Sequence, residues 1–251
     1  MRRLATLALL PLAWCVAAPG SAALPDGTTV PGAAAVSPLE PFAAVYSLKW
    51  HGIPAGRSTL TLSKDGREEY QYRSVNRARG LFRLAFPDAL TETSRFTVAG
   101  GHVQPLAYED TNGPSRAGKD VHLQFDWGQG QVRGTQHGKP VDQPLAAGTQ
   151  DPLSVQIELM RQLAAGGDPQ RFLLFDQDMA KLYDYTRERT ERIDTALGPL
   201  DTVVYRSDRP GSDRVLTLWL APSLGFLPVR AERARQGKTD IELDILSVSR
   251  P

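Results

Sequence analysis

Cysteine is almost missing from this chain: Cys15 is the sole one in 251 residues, and it lies in a segment expected to be removed. Its loss would exclude disulfides, thiolate catalysis and cysteine-ligated metals together. No long uninterrupted apolar run exists either. The stretch Leu4 to Ala18 is broken by Pro11 and falls short of the roughly 20 residues that a transmembrane helix needs. Preceded by Arg2 and Arg3 and followed by "PGSAA", it reads as a secretory signal peptide, residues 1–23, cleaved after Ala23. Trp14 stands before Cys15, where a lipid-modified cysteine wants a small residue, so ordinary cleavage is favoured. The expected product is periplasmic and keeps no stable transmembrane anchor.

An excess of either charge is absent as well. Lys and Arg number 29 against 28 Asp and Glu, and removal of Arg2 and Arg3 leaves the acids ahead by one. Nucleic acid is therefore not an expected partner, since its binders carry a basic surplus that neutralises phosphates. The four histidines, His51, His102, His122 and His137, are scattered and lack the i, i+4 pairing of a local metal site. Solvated histidine is the expected state of each, and no metal or cofactor is anticipated.

What is present is alternation. Residues 24–41, with four prolines and no periodicity, read as a flexible linker, and a single β-rich domain is expected over 42–251. Tyr46, Leu48 and Trp50 share one face of "VYSLKW", and Val121, Leu123, Phe125 and Trp127 share one face of "VHLQFDW". An Asp65-Gly66 pair between two such runs signals a hairpin. "KLYDYTRER", "LDTVVYRS", "RVLTLWLA", "FLPVRAER" and "DIELDILSV" continue the pattern. In "RVLTLWLA" both rows are apolar, so both faces need cover, and a helix is the candidate for the Trp219 side.

That helix is "GTQDPLSVQIELMRQLAAGGD". Asp151 fits an N-cap and Pro152 the first helical position, while Gly166 and Gly167 end the run. Leu153, Ile157, Met160, Leu163 and Ala164 form one apolar stripe. Ser154 lacks a nucleophile elbow and a nearby histidine base, so it reads as helix-start chemistry. "GQGQVRG" has the wrong glycine spacing for a phosphate loop and no helix after it; it reads as a hairpin turn. "RGLFRLAFPD" places Phe82, Leu84 and Phe86 beside Arg79 and Arg83. Two readings stay open there: a buried strand, or an apolar lip that meets a lipid or membrane surface. The carboxylates Asp176, Asp178, Asp184, Glu188, Glu191 and Asp194 interleave with Arg187, Arg189 and Arg192, which suits cross-strand pairing better than catalysis.

In order along the chain, "VYSLKWHGIPAGRSTLTL", "RGLFRL", "QPLAYED", "LQFDWGQGQV", "GTQDPLSVQIELMRQL" and "LTLWLAPSLGFLPVRAERARQGKTDIEL" resemble the bacterial domain-of-unknown-function family 3108 over nearly all of residues 43–248. That family implies a fold expectation and no activity. The C-terminal hairpins are also similar to periplasmic lipoprotein carriers and related sigma-factor regulators, whose bent sheets close incompletely around an apolar cavity plugged by helices. This chain shows one convincing helix where those use several.

The sequence thus predicts a mainly β protein: a single strongly curved antiparallel sheet or open β-barrel of about ten or more strands, with one principal α-helix packed against it. The expected function is non-enzymatic: binding of a lipid, an acyl chain or an envelope protein's apolar segment. Tyr46, Leu48, Trp50, Leu123, Phe125 and Trp127 are the candidate lining, unless those rows are simply core. The alternatives are an envelope polysaccharide hydrolase using paired carboxylates such as Asp176 and Asp184, and a pure scaffold protein.

Overall fold

A computed structural model describes residues 37–66, 68–176 and 178–251. The expected signal peptide and most of the expected linker lie outside the described residues. Among the described residues fifteen strands share one sheet. The first half holds β1 (Phe42–Trp50), β2 (Ile53–Lys64), β3 (Tyr70–Ala78), β4 (Leu90–Ala99), β5 (His102–Thr111), β6 (Val121–Asp126), β7 (Gln131–Gln136) and β8 (Lys139–Pro144). The second holds β9 (Thr149–Gln150), β10 (Arg171–Asp176), β11 (Met179–Thr195), β12 (Gly198–Asp208), β13 (Arg214–Ala221), β14 (Leu227–Arg235) and β15 (Lys238–Ser249). Helix α1 (Phe82–Ala85) is a single turn and α2 (Ser154–Ala164) has 11 residues; two 3-10 turns, Pro114–Lys119 and Pro222–Leu224, complete the elements.

The strand order is β8-β7-β6-β5-β4-β3-β2-β1-β15-β14-β13-β12-β11-β10-β9. The first and last strands therefore pair at the centre, Tyr46 opposite Ile245 and Trp50 opposite Ile241, and each half runs outward as a meander. The edges are β8 and β9, so the sheet is not closed. Local chemistry sets the hairpins. Between β2 and β3, the Asp65 N–H donates to the Glu69 carbonyl and the Glu69 N–H donates to the Asp65 carboxylate, which fixes the turn foreseen at Asp65-Gly66. "GQGQVRG" supplies the β6–β7 turn, but Gly134 belongs to β7, where a Cβ would stand 1.9 Å from the His122 carbonyl oxygen.

The pairing departs from the purely antiparallel expectation at one place. Strands β9 and β10 run parallel, Thr149 opposite Leu173 and Gln150 opposite Leu174. Parallel neighbours need a crossover connection, and α2 is that crossover.

Helix α2 is buried on more than the predicted stripe. Leu153, Ile157 and Met160 fall in a core cluster with Phe42, Tyr72, Phe96 and Val103 from the first half. Val155, Leu159 and Leu163 fall in a second cluster with Phe172, Leu174, Tyr205, Leu218 and Leu220 from the other. Ala164, expected in the stripe, is exposed. The helix thus serves both halves, and each buried Leu, Ile or Met contributes about 1.5–3 kcal/mol of transfer free energy. Trp219 falls in the first of these clusters, with Leu153, Ile157 and Met160; its indole N–H donates to Glu191 at 2.7 Å, and the Arg189 and Arg230 guanidinium groups lie near its ring.

Polar bonds pin α2 to the β4–β5 hairpin. Glu158, 2% exposed, accepts from the Val103 N–H at 2.9 Å and lies 2.8 Å from His102 Nδ1. Arg161 donates to the Gly101 carbonyl, Gln150 to the Val103 carbonyl and Gln156 to the Tyr72 hydroxyl. All four histidines are exposed, as expected, but His102 also has a partner in Glu158.

Candidate functional site

The inward-facing rows end in a cleft rather than a sealed core. It has a volume of about 640 Å³ and lies where the ends of β1, β3, β13 and β14 meet α1 and the β14–β15 turn. Its apolar surface comes from Leu48, Trp50, Ala55, Ala78, Phe82, Phe86, Leu90 and Ile241. Helix α1 forms one wall, because the Arg79-Gly80 and Pro87-Asp88 breakers leave room for only one helical turn. Gly80 has φ +56°, a left-handed conformation that glycine adopts without a side-chain clash. Phe82 meets Trp50 edge to face at 5.8 Å, and the Arg116 guanidinium lies 4.3 Å from the Phe86 ring while donating to the Ala85 carbonyl. The buried-strand reading of 79–88 is thereby corrected: the segment is a half-exposed turn of helix.

The rim of the cleft is cationic. Arg77, Arg214, Arg233, Arg235 and Lys238 line it against two acids, Asp88 and Asp240. Both acids are engaged: Asp88 accepts from the Ser115 hydroxyl at 2.6 Å, and Asp240 takes a bidentate pair from Arg233 at 2.8 and 2.7 Å. Arg235 reaches Asp213 at 3.3 Å. Burial, followed by the positive charges of Arg233 and Arg235, pushes Arg214 below the usual guanidinium range. The charges of Asp213 and Asp176 partly offset this.

The six candidate lining residues divide. Leu48 and Trp50 line the cleft. Tyr46, Leu123 and Phe125 are buried in the first core cluster; the Tyr46 hydroxyl donates to the Pro228 carbonyl at 2.8 Å, and Phe125 packs edge to face on Phe175. Trp127 sits in the β6–β7 turn, its indole N–H donating to the Pro105 carbonyl at 2.7 Å. The cations of the second half were missed because the closure of β1 on β15 is a long-range event. A signal was nonetheless present: Arg233 and Arg235 occupy the same alternating row of β14 as Ala231, an arginine pair on a row that faces inward.

A second hollow, about 730 Å³, touches Arg57, Thr59, Val75, Arg77, Arg79 and Arg83. Its walls come mainly from the alternate rows of β1–β3 and carry less apolar surface than the first cleft, so it suits an apolar ligand less.

The carboxylate pair does not assemble. Asp176 ends β10 and accepts from the Tyr183 hydroxyl at 2.9 Å and from Lys181 at 3.4 Å. Asp184 lies opposite Arg171 in the ladder and pairs with it at 2.8 Å. Five strand residues separate these places, roughly 16 Å at about 3.3 Å per residue, whereas glycosidase carboxyls stand within about 10 Å. Glu188 and Glu191 pair with Arg189, and Arg192 with Asp201. Among the described residues no group of three or more His, Cys, Asp or Glu could hold a metal ion, and no helix is long and apolar enough to cross a membrane.

Three carboxyls cluster near the start of α2, Asp151 fully buried and Glu92 and Asp110 half-buried. Asp151 accepts from the Leu153 and Ser154 N–H groups, each at 2.8 Å, and from the Ser94 hydroxyl at 2.5 Å; Ser154 Oγ in turn accepts the Asp151 N–H at 2.8 Å. This reciprocal arrangement caps the helix, although the regular α-helix begins only at Ser154. Burial pushes the Asp151 carboxyl up to about 6 against those donors. Glu92 is pushed up to about 8, by burial first and then by the charge of Asp110, and Asp110 itself rises to about 6.

An open, mostly antiparallel sheet built around a crossover helix defines a β-barrel-like protein with a basic-rimmed apolar cleft. The chain belongs to the family described as "Protein of unknown function (DUF3108)", which it matches over residues 45–243. No curated protein matches it. Among solved structures it is similar to a β-barrel-like protein of domain of unknown function DUF1849 from Brucella abortus, at TM-score 0.55 and 15% identity, covering 87% of this chain and 100% of that one. It is less similar to a candidate exported protein with a YmcC-like fold from Bacteroides fragilis, at TM-score 0.38 and 9% identity over 86% of this chain and 99% of the other. A candidate lipoprotein from Parabacteroides distasonis gives TM-score 0.32 and 10% identity over 85% and 97%.

Proposed function

We propose that the protein is an exported, non-enzymatic carrier of an amphiphile with an apolar chain and an anionic end. The observation that carries this reading is the cleft's pairing of an apolar wall, Leu48, Trp50, Phe82, Phe86 and Leu90, with the cations Arg214, Arg233, Arg235 and Lys238. A ligand pocket of this size is ordinary for one acyl chain. Placement in the periplasm rests on Arg2, Arg3 and the apolar run after them. A strongly curved sheet is supported by the central pairing of β1 with β15 and by the burial of α2 against both halves.

The test is titration of delipidated protein, purified after export, with hexadecanoate and with hexadecanol. The carboxylate is expected to bind with a Kd on the order of 1 µM, and Arg214→Ala with Arg235→Ala to weaken it about tenfold while leaving the alcohol unchanged. Failure of the unmodified protein to bind either compound, with no lipid recovered from freshly exported material, would sink the carrier reading. Mass spectrometry of that material also checks cleavage after Ala23.

A further inference from the structure

Leu81, Leu84 and Ile53 stand at the mouth of the cleft without lining it, and Trp50 is shared between the cleft wall and the outer surface. Leu81 and Leu84 are 83% and 85% exposed, and Ile53 and Trp50 are 54% and 39% exposed. They belong to two adjoining segments: Ile53 pairs with Trp50 across the β1–β2 turn, Trp50 touches Phe82, and the Arg79 N–H donates to the Ala55 carbonyl. Four large apolar side chains thus emerge together at one end of the molecule. Exposed apolar side chains grouped in this way mark an interaction surface.

The charge around them selects the partner. Arg79 and Arg83 are exposed beside the two leucines, and Arg57 and Arg77 join them around the outer hollow. The acid within that apron, Asp88, is occupied by the Ser115 hydroxyl and N–H. Apolar tips ringed by arginines complement a bilayer surface, where the leucines enter the acyl boundary and each cation gains from anionic head groups.

We propose that the α1 turn and the β1–β2 turn form a membrane-docking lip that sets the mouth of the cleft against a leaflet containing anionic lipid. The side chains on which docking chiefly stands, Leu81, Leu84, Arg79 and Arg83, lie outside the cleft lining, so docking does not depend on what the cleft holds. Leu81 and Leu84 supply the insertion and Arg79 and Arg83 the electrostatic part. Together with the carrier reading, the geometry gives an acyl chain a path from bilayer to cleft without crossing open water.

The experiment is flotation of the exported full chain with phosphatidylglycerol–phosphatidylethanolamine vesicles and with pure phosphatidylcholine vesicles. Binding is expected to the anionic vesicles, to fall about tenfold or more in Leu81→Asn/Leu84→Asn, and to lose most of its salt sensitivity in Arg79→Gln/Arg83→Gln. Both double variants change exposed positions and should keep the melting temperature and the hexadecanoate affinity of the parent, which separates loss of docking from loss of fold or cleft. Equal binding by parent and leucine variant, or no binding of the parent to either vesicle, overturns the docking lip. A protein partner that crosslinks at Leu84 in the absence of vesicle binding overturns it too.

Discussion

Asp151→Ala is expected to lower the stability of the protein by about 3 kcal/mol, with a fall in melting temperature of roughly 6–12 °C. The side chain is fully buried and satisfies three donors: two N–H groups at the start of α2 and the Ser94 hydroxyl. Loss of a cap alone costs about 1 kcal/mol. Here the orphaned N–H groups cannot turn to bulk water, because Leu153 and Ser154 are buried beside them, and that raises the cost. The damage also spreads, since α2 is the crossover between β9 and β10 and lends side chains to both core clusters. Asp151→Asn keeps an acceptor for one N–H and should cost less than half as much; Ser94→Ala, which removes one of the three bonds, should fall between it and the parent. Chemical denaturation of the three variants gives the order. An Asp151→Ala loss under 1 kcal/mol would mean that the tertiary packing of α2, not its first turn, holds the helix in place.

Much of this arrangement was readable because the chemistry is local. Alternation in "VHLQFDW" and in the five C-terminal runs identifies β6 and β11 to β15, and Asp65-Gly66 identifies a hairpin. The Asp-Pro-Leu-Ser start of the helix is legible for the same reason, since a cap and its N–H groups lie within four residues. The failures are long-range. Val155 and Leu159 lie off the stripe that Leu153, Ile157, Met160 and Leu163 define, and are buried because a second half of sheet reaches them. The two-residue strand β9 carries no pattern, and its parallel pairing exists only because α2 returns the chain beside it. Phe82, Leu84 and Phe86 alternate like a strand, yet have no neighbouring strand with which to pair. The cleft follows the same division: Leu48 and Trp50 belong to a readable row, but the arginines opposite them arrive from residues 214–238 through the β1–β15 closure.

The carboxyls around the helix start also predict an unusual pH response: stability should fall as pH rises from about 5 to about 8.5. Glu92, Asp110 and Asp151 all hold their protons more tightly in the folded chain than their ordinary values of 4.5, 3.8 and 3.8 allow, at about 8, 6 and 6. Below the ordinary values both folded and unfolded chains are protonated and nothing is gained or lost. Through the window between, the unfolded chain ionises first, binds fewer protons than the folded chain and is favoured as pH increases; above about 8 both are ionised and the loss is complete. Glu92 covers the widest part of that window. Its shift comes from burial first, then from the charge on Asp110, with Asp151 adding to it, and the Tyr108 hydroxyl only partly offsets this. Solvent reaches part of the Glu92 side chain, so the full linkage value is discounted to about 1–3 kcal/mol between pH 5 and pH 8.5. Glu92→Gln removes the charge while keeping the shape. It should leave stability near pH 5 almost unchanged, raise it by about 1–3 kcal/mol at pH 8.5 and flatten the profile between. Depressed acids such as Asp244, held down by Arg230 and Lys49, act with the opposite sign, since the stability they contribute is lost as pH falls below the ordinary carboxylate range. Melting curves of parent and variant across that range therefore separate the two groups: a parent profile that rises from pH 5 to 8.5, or a variant that tracks the parent throughout, would remove Glu92 as its source. Asp151 adds its charge to that of Asp110 against Glu92, so ionisation of these two acids near pH 6 itself helps to hold Glu92 protonated to about pH 8.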